Sequence, residues 1–313
     1  MEIAQWSLTR KDSSPSGLLR YDNELYAGTS KEMSVKRYRG QGNVLKTLAG
    51  YKRGDVTHIT THQLAFMSPC MQLKNSIVTV HDLIQYFWFG LKRSVKEKWL
   101  LNEFTLPLDK IDRYITDSIS TKNDLVRIYK IPEWKISVVY LGVDHDTYFP
   151  RSQEECKIKF GLDPDKKYLL GVSSGMPWKN TVILDKLAYD YNVIDIGYGR
   201  GTFGTVSEID MPYLYSACDA FIAPSLHEGF CLPVVEAMAC GVPVIGACAT
   251  ALPEVVGSGG VVVNPYNIED WKNAVDKVLK YQDKWTQRAI TRAEFFSWEK
   301  MCNETMKIYK EFE

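Results

Sequence analysis

Short apolar runs separated by amphipathic stretches recur through this chain, and that alternation constrains its fold more than any other feature. The runs at 77–80, 114–117, 137–140, 168–172, 192–196, 220–223, 243–246 and 261–263 read as strands, while 123–129, 210–217, 233–239 and 268–281 carry helical periodicity. Parallel strands cannot be joined by a tight turn and need crossover connections, which the intervening helices supply. The pattern therefore predicts α/β layers built on parallel sheets.

One break interrupts the pattern. Gly142-Val143-Asp144-His145-Asp146 follows a strand, Tyr148-Phe149-Pro150 has no periodicity, and a new α/β run opens after Gly161-Leu162-Asp163-Pro164. Placing the boundary near residue 150 divides the 313 residues into halves of a size usual for a doubly wound unit. There is no short-period repeat and no low-complexity segment.

Composition limits the function classes. Lys and Arg number 38, as do Asp and Glu, and this balance argues against a general polyanion binder. The cancellation is uneven: residues 1–150 hold 21 basic and 16 acidic side chains, the remainder 17 and 22. The seven cysteines (Cys70, Cys156, Cys218, Cys231, Cys240, Cys248 and Cys302) are odd in number, widely spread and without a C-x-x-C pair, which predicts buried thiols in a reducing compartment. Met1-Glu2-Ile3-Ala4-Gln5 lacks the charged start of a signal peptide, and no apolar run has the ~18–20 residues of a membrane span. A cytoplasmic protein is expected, with peripheral membrane contact left open.

The stretch richest in chemistry runs Pro224-Ser225-Leu226-His227-Glu228-Gly229-Phe230-Cys231-Leu232-Pro233-Val234-Val235-Glu236. A strand ends at Ala223, a glycine-containing loop follows, and Pro233 suits the first turn of a helix. A helix start beyond a strand end directs N–H groups and a positive dipole end at a ligand, which suits a diphosphate. Glu228 on the loop can hold sugar hydroxyls, and Glu236, eight positions later on the helix, can hold a ribose diol. Taken alone, Glu236 could merely complement the helix dipole and Glu228 could be a solvated loop residue; the flanking Gly, Pro and apolar residues weight the balance toward a site.

Three further segments carry candidates. Gly199-Arg200-Gly201-Thr202-Phe203-Gly204 spells G-x-G-x-x-G, but it lies mid-chain rather than in a first βα turn, so a glycine-rich loop beside a nucleobase is the better reading than NAD binding. Val80-His81-Asp82 places a histidine at a strand end, and His62 ends the strand before it. Residues 86–101 interleave aromatics with Lys92, Arg93, Lys96 and Lys98, a composition suited either to an interfacial helix on anionic lipid or to an ordinary amphipathic helix with a solvated basic face. No recognised nucleic-acid module accompanies these charges, so no nucleic-acid partner is expected.

The Glu228–Glu236 segment resembles the E-x7-E motif of retaining GT-B glycosyltransferases, the large group 1, family 4-like set that contains sucrose synthases and bacterial mannosyltransferases. The same family is resembled by Cys240-Gly241-Val242-Pro243-Val244-Ile245 through Leu252-Pro253-Glu254-Val255, by Phe296-Ser297-Trp298-Glu299, and by Lys135–Asp144. The likeness is strong over 112–313 and weaker before that.

This resemblance implies two Rossmann-like doubly wound domains facing a deep cleft: an acceptor-side domain at 1–150, a nucleotide-sugar domain at 151–295, and a C-terminal helix at 296–313 returning to the first. It implies a hexosyltransferase that retains configuration, with a nucleotide-sugar donor (GDP-mannose first, UDP-glucose second) and a glycan, lipid-linked or small-molecule hydroxyl acceptor. Neither a cofactor nor a metal is implied. By position, Glu228 would contact the transferred sugar beside the backbone of Gly229, Phe230 and Cys231. Leu232 would meet the diphosphate and Glu236 the ribose, while Lys179, after Ser173, would neutralise the leaving group. Many relatives have arginine where this chain has Trp178, and Arg200 is the candidate to replace it. Gly17 keeps one of the family's paired glycines, with Ser16 in the other place. His81 would face the sugar, Asp82 would orient it or meet the acceptor, and His62 is a further acceptor-side candidate. Other readings are an epimerase-like nucleotide-sugar enzyme and a non-catalytic sugar- or nucleotide-binding protein.

Overall fold

The structure is a computed structural model describing residues 1–7, 16–39, 52–62, 73, 75–89, 111–197, 204 and 206–313. It contains two compact units, Met1–Leu141 with Trp298–Glu313, and Gly142–Ser297.

The first unit runs β1 (Glu2–Ser7), α1 (Gly17–Thr29), β2 (Ser34–Arg39), β3 (Val56–Ile59), β4 (Ser76–Val80), α2 (Ile84–Phe89), β5 (Arg113–Thr116), α3 (Ile119–Tyr129) and β6 (Ile136–Val138). Its strands form one parallel sheet in the order β2-β1-β3-β4-β5-β6. The central strands β3 and β4 are buried along their whole length, as strands covered on both faces must be. The core gathers Ala4, Trp6, Ile59, Val78, Val80, Tyr114, Leu125 and Ile136. Ser16 and Ser118 cap α1 and α3, accepting from the N–H groups of Leu19 at 3.2 Å and Thr121 at 3.1 Å. The C-terminal helix Trp298–Lys310 packs on α1, so closely that a Cβ at Gly28 would stand 2.3 Å from Cys302 Sγ.

The second unit carries α4 (Gln153–Lys159), β7 (Tyr168–Ser173), α5 (Val182–Leu187), β8 (Asn192–Gly197), α6 (Met211–Ala217), β9 (Ala220–Ala223), α7 (Leu232–Ala239), β10 (Val244–Ala247), α8 (Leu252–Val256), β11 (Gly260–Val263), α9 (Ile268–Lys280) and α10 (Gln282–Ala293). Its parallel sheet has the order β11-β10-β9-β7-β8. Gly260 is required where β11 joins, because a Cβ there would lie 2.0 Å from the Val244 carbonyl oxygen.

The chain leaves the first unit at Leu141 rather than near 150, since residues 142–150 are tied to the second unit. Val143 bridges Ser297, and His145 Nε2 lies 3.0 Å from the Phe296 carbonyl oxygen. For the same reason the return to the first unit begins at Trp298, not at Phe296.

Each sheet contains one point where successive connections diverge to opposite sides, and the crevice beyond the strand ends at such a point is the usual ligand position. In the first unit it falls between β1 and β3; in the second it falls between β7 and β9. Among the described residues no helix is long and apolar enough to cross a membrane.

Candidate active site

In the second unit the loops after β7 and β9 flank the divergence point. The β7 loop turns through a short 3-10 helix, Pro177–Lys179, ended by Asn180 in a left-handed conformation (φ 50°). The β9 loop reaches Cys231, also left-handed at φ 84°, and Pro233 sits in the first turn of α7. A backbone hydrogen bond from Leu226 N–H to the Trp178 carbonyl, 2.7 Å, fastens the two loops together. They deliver Lys179 Nζ to 2.5 Å from Glu228 Oε1. Glu228 is held from a third strand end: its N–H donates to Thr250 Oγ1 at 2.9 Å. Thr250 itself takes φ 45°, a region that β-branched residues rarely enter.

Glu236 lies on α7 and is 6% exposed. Its Oε2 accepts from the Tyr215 hydroxyl of α6 at 2.9 Å. Burial, and next the Glu236 carboxylate, push the Tyr215 phenol well above its ordinary pKa, so it stays a donor. Burial likewise pushes the Cys231 thiol up, which keeps it protonated. Phe230 points away from the loop surface and packs edge-on against Phe296, ring centroids 5.4 Å apart. The positive end of the α7 dipole therefore faces a region lined by a lysine and two carboxylates.

In the first unit several polar residues at the strand ends bond one another. His81 Nδ1 pairs with Asp117 Oδ2 at 2.5 Å, and Nε2 lies 2.9 Å from the Thr60 carbonyl oxygen. Burial alone would lower the imidazole's pKa, but the Asp117 carboxylate more than offsets this and raises it to about 9. His81 is thus an imidazolium donating from both nitrogens. Thr60 Oγ1 bonds Asp22 Oδ1 at 2.5 Å, and Ser7 Oγ bonds Oδ2 of the same fully buried aspartate. Beside this web, His58 joins Tyr309 of the C-terminal helix (2.7 Å) to Thr79 (2.8 Å), and Thr79 meets Tyr21 at 2.9 Å. Burial, then the His81 charge, lowers the His58 pKa to about 3, so this link is neutral.

Two family models match the chain: Glycosyltransferase Family 4 over residues 28–147 and Glycosyl transferases group 1 over residues 201–294. The chain belongs to the group 1 glycosyltransferases. It is similar to O-antigen chain mannosyltransferase B of Escherichia coli, 29% identical over 273 residues that span 76% of this chain and 71% of that protein. In fold it is similar to sucrose-phosphate synthase from Thermosynechococcus elongatus, with a TM-score of 0.81 at 17% identity over 99% of this chain and 98% of that one. It is also similar to Anabaena HepE solved with UDP-glucose, with a TM-score of 0.77 at 17% identity over 99% and 100% of the two chains. The two parallel-sheet units are those of the GT-B fold.

Within this group 1 glycosyltransferase, Lys179, Glu228, Gly229, Phe230, Cys231, Leu232 and Glu236 come together at the β7/β9 divergence point, and Ser173 is the last residue of β7. Gly17 opens α1 behind its Ser16 cap. Arg200, the rest of 199–203, and residues 90–101 of the aromatic-cationic segment lie outside the described residues; Gly204, which closes the glycine motif, is left-handed at φ 66°.

Two expectations in the first unit need correction. His81 is 7% exposed with both ring nitrogens engaged, so it has no nitrogen left to face a sugar. Its orienting carboxylate is Asp117 and not Asp82, which instead accepts from the Ile84 N–H at 3.0 Å and starts α2. Successive residues leaving a strand point to opposite sides, so a sequence neighbour is poorly placed to orient His81. By contrast His62 has a buried Nδ1 that finds no hydrogen-bond partner among the described residues. Its pKa falls to about 4, chiefly through burial, which leaves a neutral imidazole. Sequence reasoning missed Asp117, Thr250 and Tyr215. Only Asp117 carried a signal, as a carboxylate closing a predicted strand. Among the described residues, no group of three or more His, Cys, Asp or Glu side chains is placed to hold a metal ion.

Proposed function

We propose that this protein transfers a hexose from a nucleotide sugar to a hydroxyl acceptor with retention of configuration at the anomeric carbon. The observation that carries this reading is the Lys179–Glu228 pair, 2.5 Å apart across the β7/β9 divergence point beside the start of α7. Lys179 and the helix start stabilise charge that grows on the leaving diphosphate as the glycosidic bond breaks. Glu228 accepts hydrogen bonds from hydroxyls of the transferred sugar, and Glu236 does the same for the ribose. The acceptor oxygen bonds to the anomeric carbon on the face from which the diphosphate departs, and the departing diphosphate oxygen takes the acceptor proton. No side chain needs to act as a dedicated base, and a Lys179-type clamp supplies the charge stabilisation without a metal. His62, whose Nδ1 has no hydrogen-bond partner among the described residues, is the acceptor-side histidine.

Likeness to a relative named as a mannosyltransferase supports GDP-mannose as first donor, with UDP-glucose second. A thermal-shift panel of nucleotide sugars tests the reading, because a bound donor raises the melting temperature according to its affinity. A rise with GDP-mannose or UDP-glucose, and transfer that survives a chelator, are expected. A panel without any shift overturns the reading.

The enzyme is further proposed to work at the cytoplasmic membrane face. Tyr86 and Phe87 on α2 are exposed (44% and 36%) at the head of the aromatic-cationic segment. Neutralising Lys92, Arg93, Lys96 and Lys98 should release the protein from anionic vesicles; unchanged binding refutes this location.

A further inference from the structure

We propose that Tyr215 is the positioning residue through which this enzyme reads the ribose of its donor, an inference that rests on Glu236 being the ribose carboxylate. Tyr215 is fully buried on α6, with its ring edge-on to Phe221 of β9 (centroids 5.8 Å) and tilted against Tyr148 (6.2 Å). Packing on these two sides fixes the ring, and the fixed ring sets where its hydroxyl can point. That hydroxyl donates to Glu236 Oε2 at 2.9 Å.

A carboxylate carried on a helix can turn about its last side-chain bonds. A buried carboxylate also needs hydrogen bonds to offset the loss of water. The Tyr215 bond meets both needs: it compensates the charge and sets the plane of the carboxylate. A carboxylate offers about four acceptor directions, and the Tyr215 hydroxyl takes one of them on Glu236. A diol presents two donors at a fixed spacing and is matched best by a carboxylate whose plane does not drift. A nucleotide lacking the 2′-hydroxyl offers one donor, and its binding depends much less on that plane. The chemistry Tyr215 selects for is therefore ribonucleotide over 2′-deoxyribonucleotide.

The test measures affinity for GDP, UDP and their 2′-deoxy counterparts in wild type, Tyr215→Phe and Glu236→Gln. In Tyr215→Phe the ribo-nucleotide is expected to bind about tenfold more weakly, in the range of one hydrogen bond to a charged group. The ribo/deoxy preference should shrink with it. With donor sugar the loss should appear in KM, with kcat within about twofold. The preference is a ratio taken within one preparation, so partial unfolding of the variant does not move it. An unchanged preference in Tyr215→Phe, with a reduced one in Glu236→Gln, overturns the role of Tyr215 and leaves the ribose assignment standing. If Glu236→Gln also keeps the wild-type preference, or neither ribonucleotide binds, the underlying assignment of Glu236 fails.

Discussion

The two units share a parallel doubly wound plan and a divergence point in each sheet, yet they treat the polar groups at their strand ends in opposite ways. In the first unit His81, Asp117, Thr60, Asp22 and Ser7 form a buried web in which each residue bonds another. In the second, Lys179 and Glu228 stand on loops, and the lysine keeps 22% of its side-chain surface. A buried web is high in stability cost if broken and offers little to a ligand. A loop-borne ion pair can exchange its partners for those of a ligand, and here the lysine keeps contact with water while Glu228 is held at 10% side-chain exposure. The same topology thus supplies a buried polar web in one unit and, on the proposed reading, a donor-binding surface in the other.

The comparison breaks if substitutions in the two units fail to separate activity from stability. Lys179→Ala has the largest expected effect, a loss of transfer of about 10³-fold, the scale of removing a preorganised charge from a developing anion. Glu228→Ala should be similarly severe, and both proteins should melt within a few degrees of the parent. Steady-state assay of either variant decides; activity near the parental level removes both residues from the mechanism. Asp117→Asn should do the reverse. Leaving the buried His81 without its counter-charge should cost about 3 kcal/mol of stability, read as a melting temperature lower by several degrees.

A pH series sharpens the same contrast. The His81 pKa is raised from the ordinary 6.5 to about 9, so the stabilisation from its pairing is complete below about pH 6.5 and disappears as pH climbs to 9. The gap in melting temperature between wild type and Asp117→Asn should therefore be widest at pH 6 and close toward pH 9. His58 has the opposite sign: its pKa is lowered to about 3, so its contribution is present above pH 6.5 and is lost as pH falls toward 3. His58→Gln should flatten the acid side of the wild-type stability curve and leave the alkaline side unchanged.

What the sequence revealed of this arrangement follows from the range of each interaction. Strands such as β9 and β10 were legible because strands buried on both faces are written as apolar runs. Strand β2, Ser34-Val35-Lys36-Arg37-Tyr38-Arg39, lies at the sheet edge, carries three cations and gives no such signal. Glu228 and Glu236 were legible because a single loop and helix hold both. The residues that support them come from elsewhere: Thr250 stands 22 positions from Glu228, and Tyr215 stands 21 from Glu236. Asp117 is 36 positions from His81. The Thr250 and Asp117 pairs meet because the sheet order sets neighbouring strand ends side by side, and Tyr215 meets Glu236 because α6 packs against α7; no local pattern encodes either arrangement.

Thr250 offers the finest test of how the second unit holds its reactive loop. Its left-handed backbone, φ 45°, carries a strain of about 1 kcal/mol or more for a β-branched residue. Its Oγ1 accepts the Glu228 N–H, a hydrogen bond worth about 1 kcal/mol. Thr250→Val keeps the strain and loses the acceptor, so it should lower stability by about 1 kcal/mol and raise the donor KM a few-fold. Thr250→Gly relieves the strain while losing the same bond, so its stability should stay within about 0.5 kcal/mol of the parent while the KM rises as in the valine variant. Thr250→Ser keeps an acceptor and should restore the parental KM. If glycine and valine alter stability equally, the left-handed backbone carries no strain worth relieving. If serine fails to restore the KM, the hydroxyl is not what places Glu228.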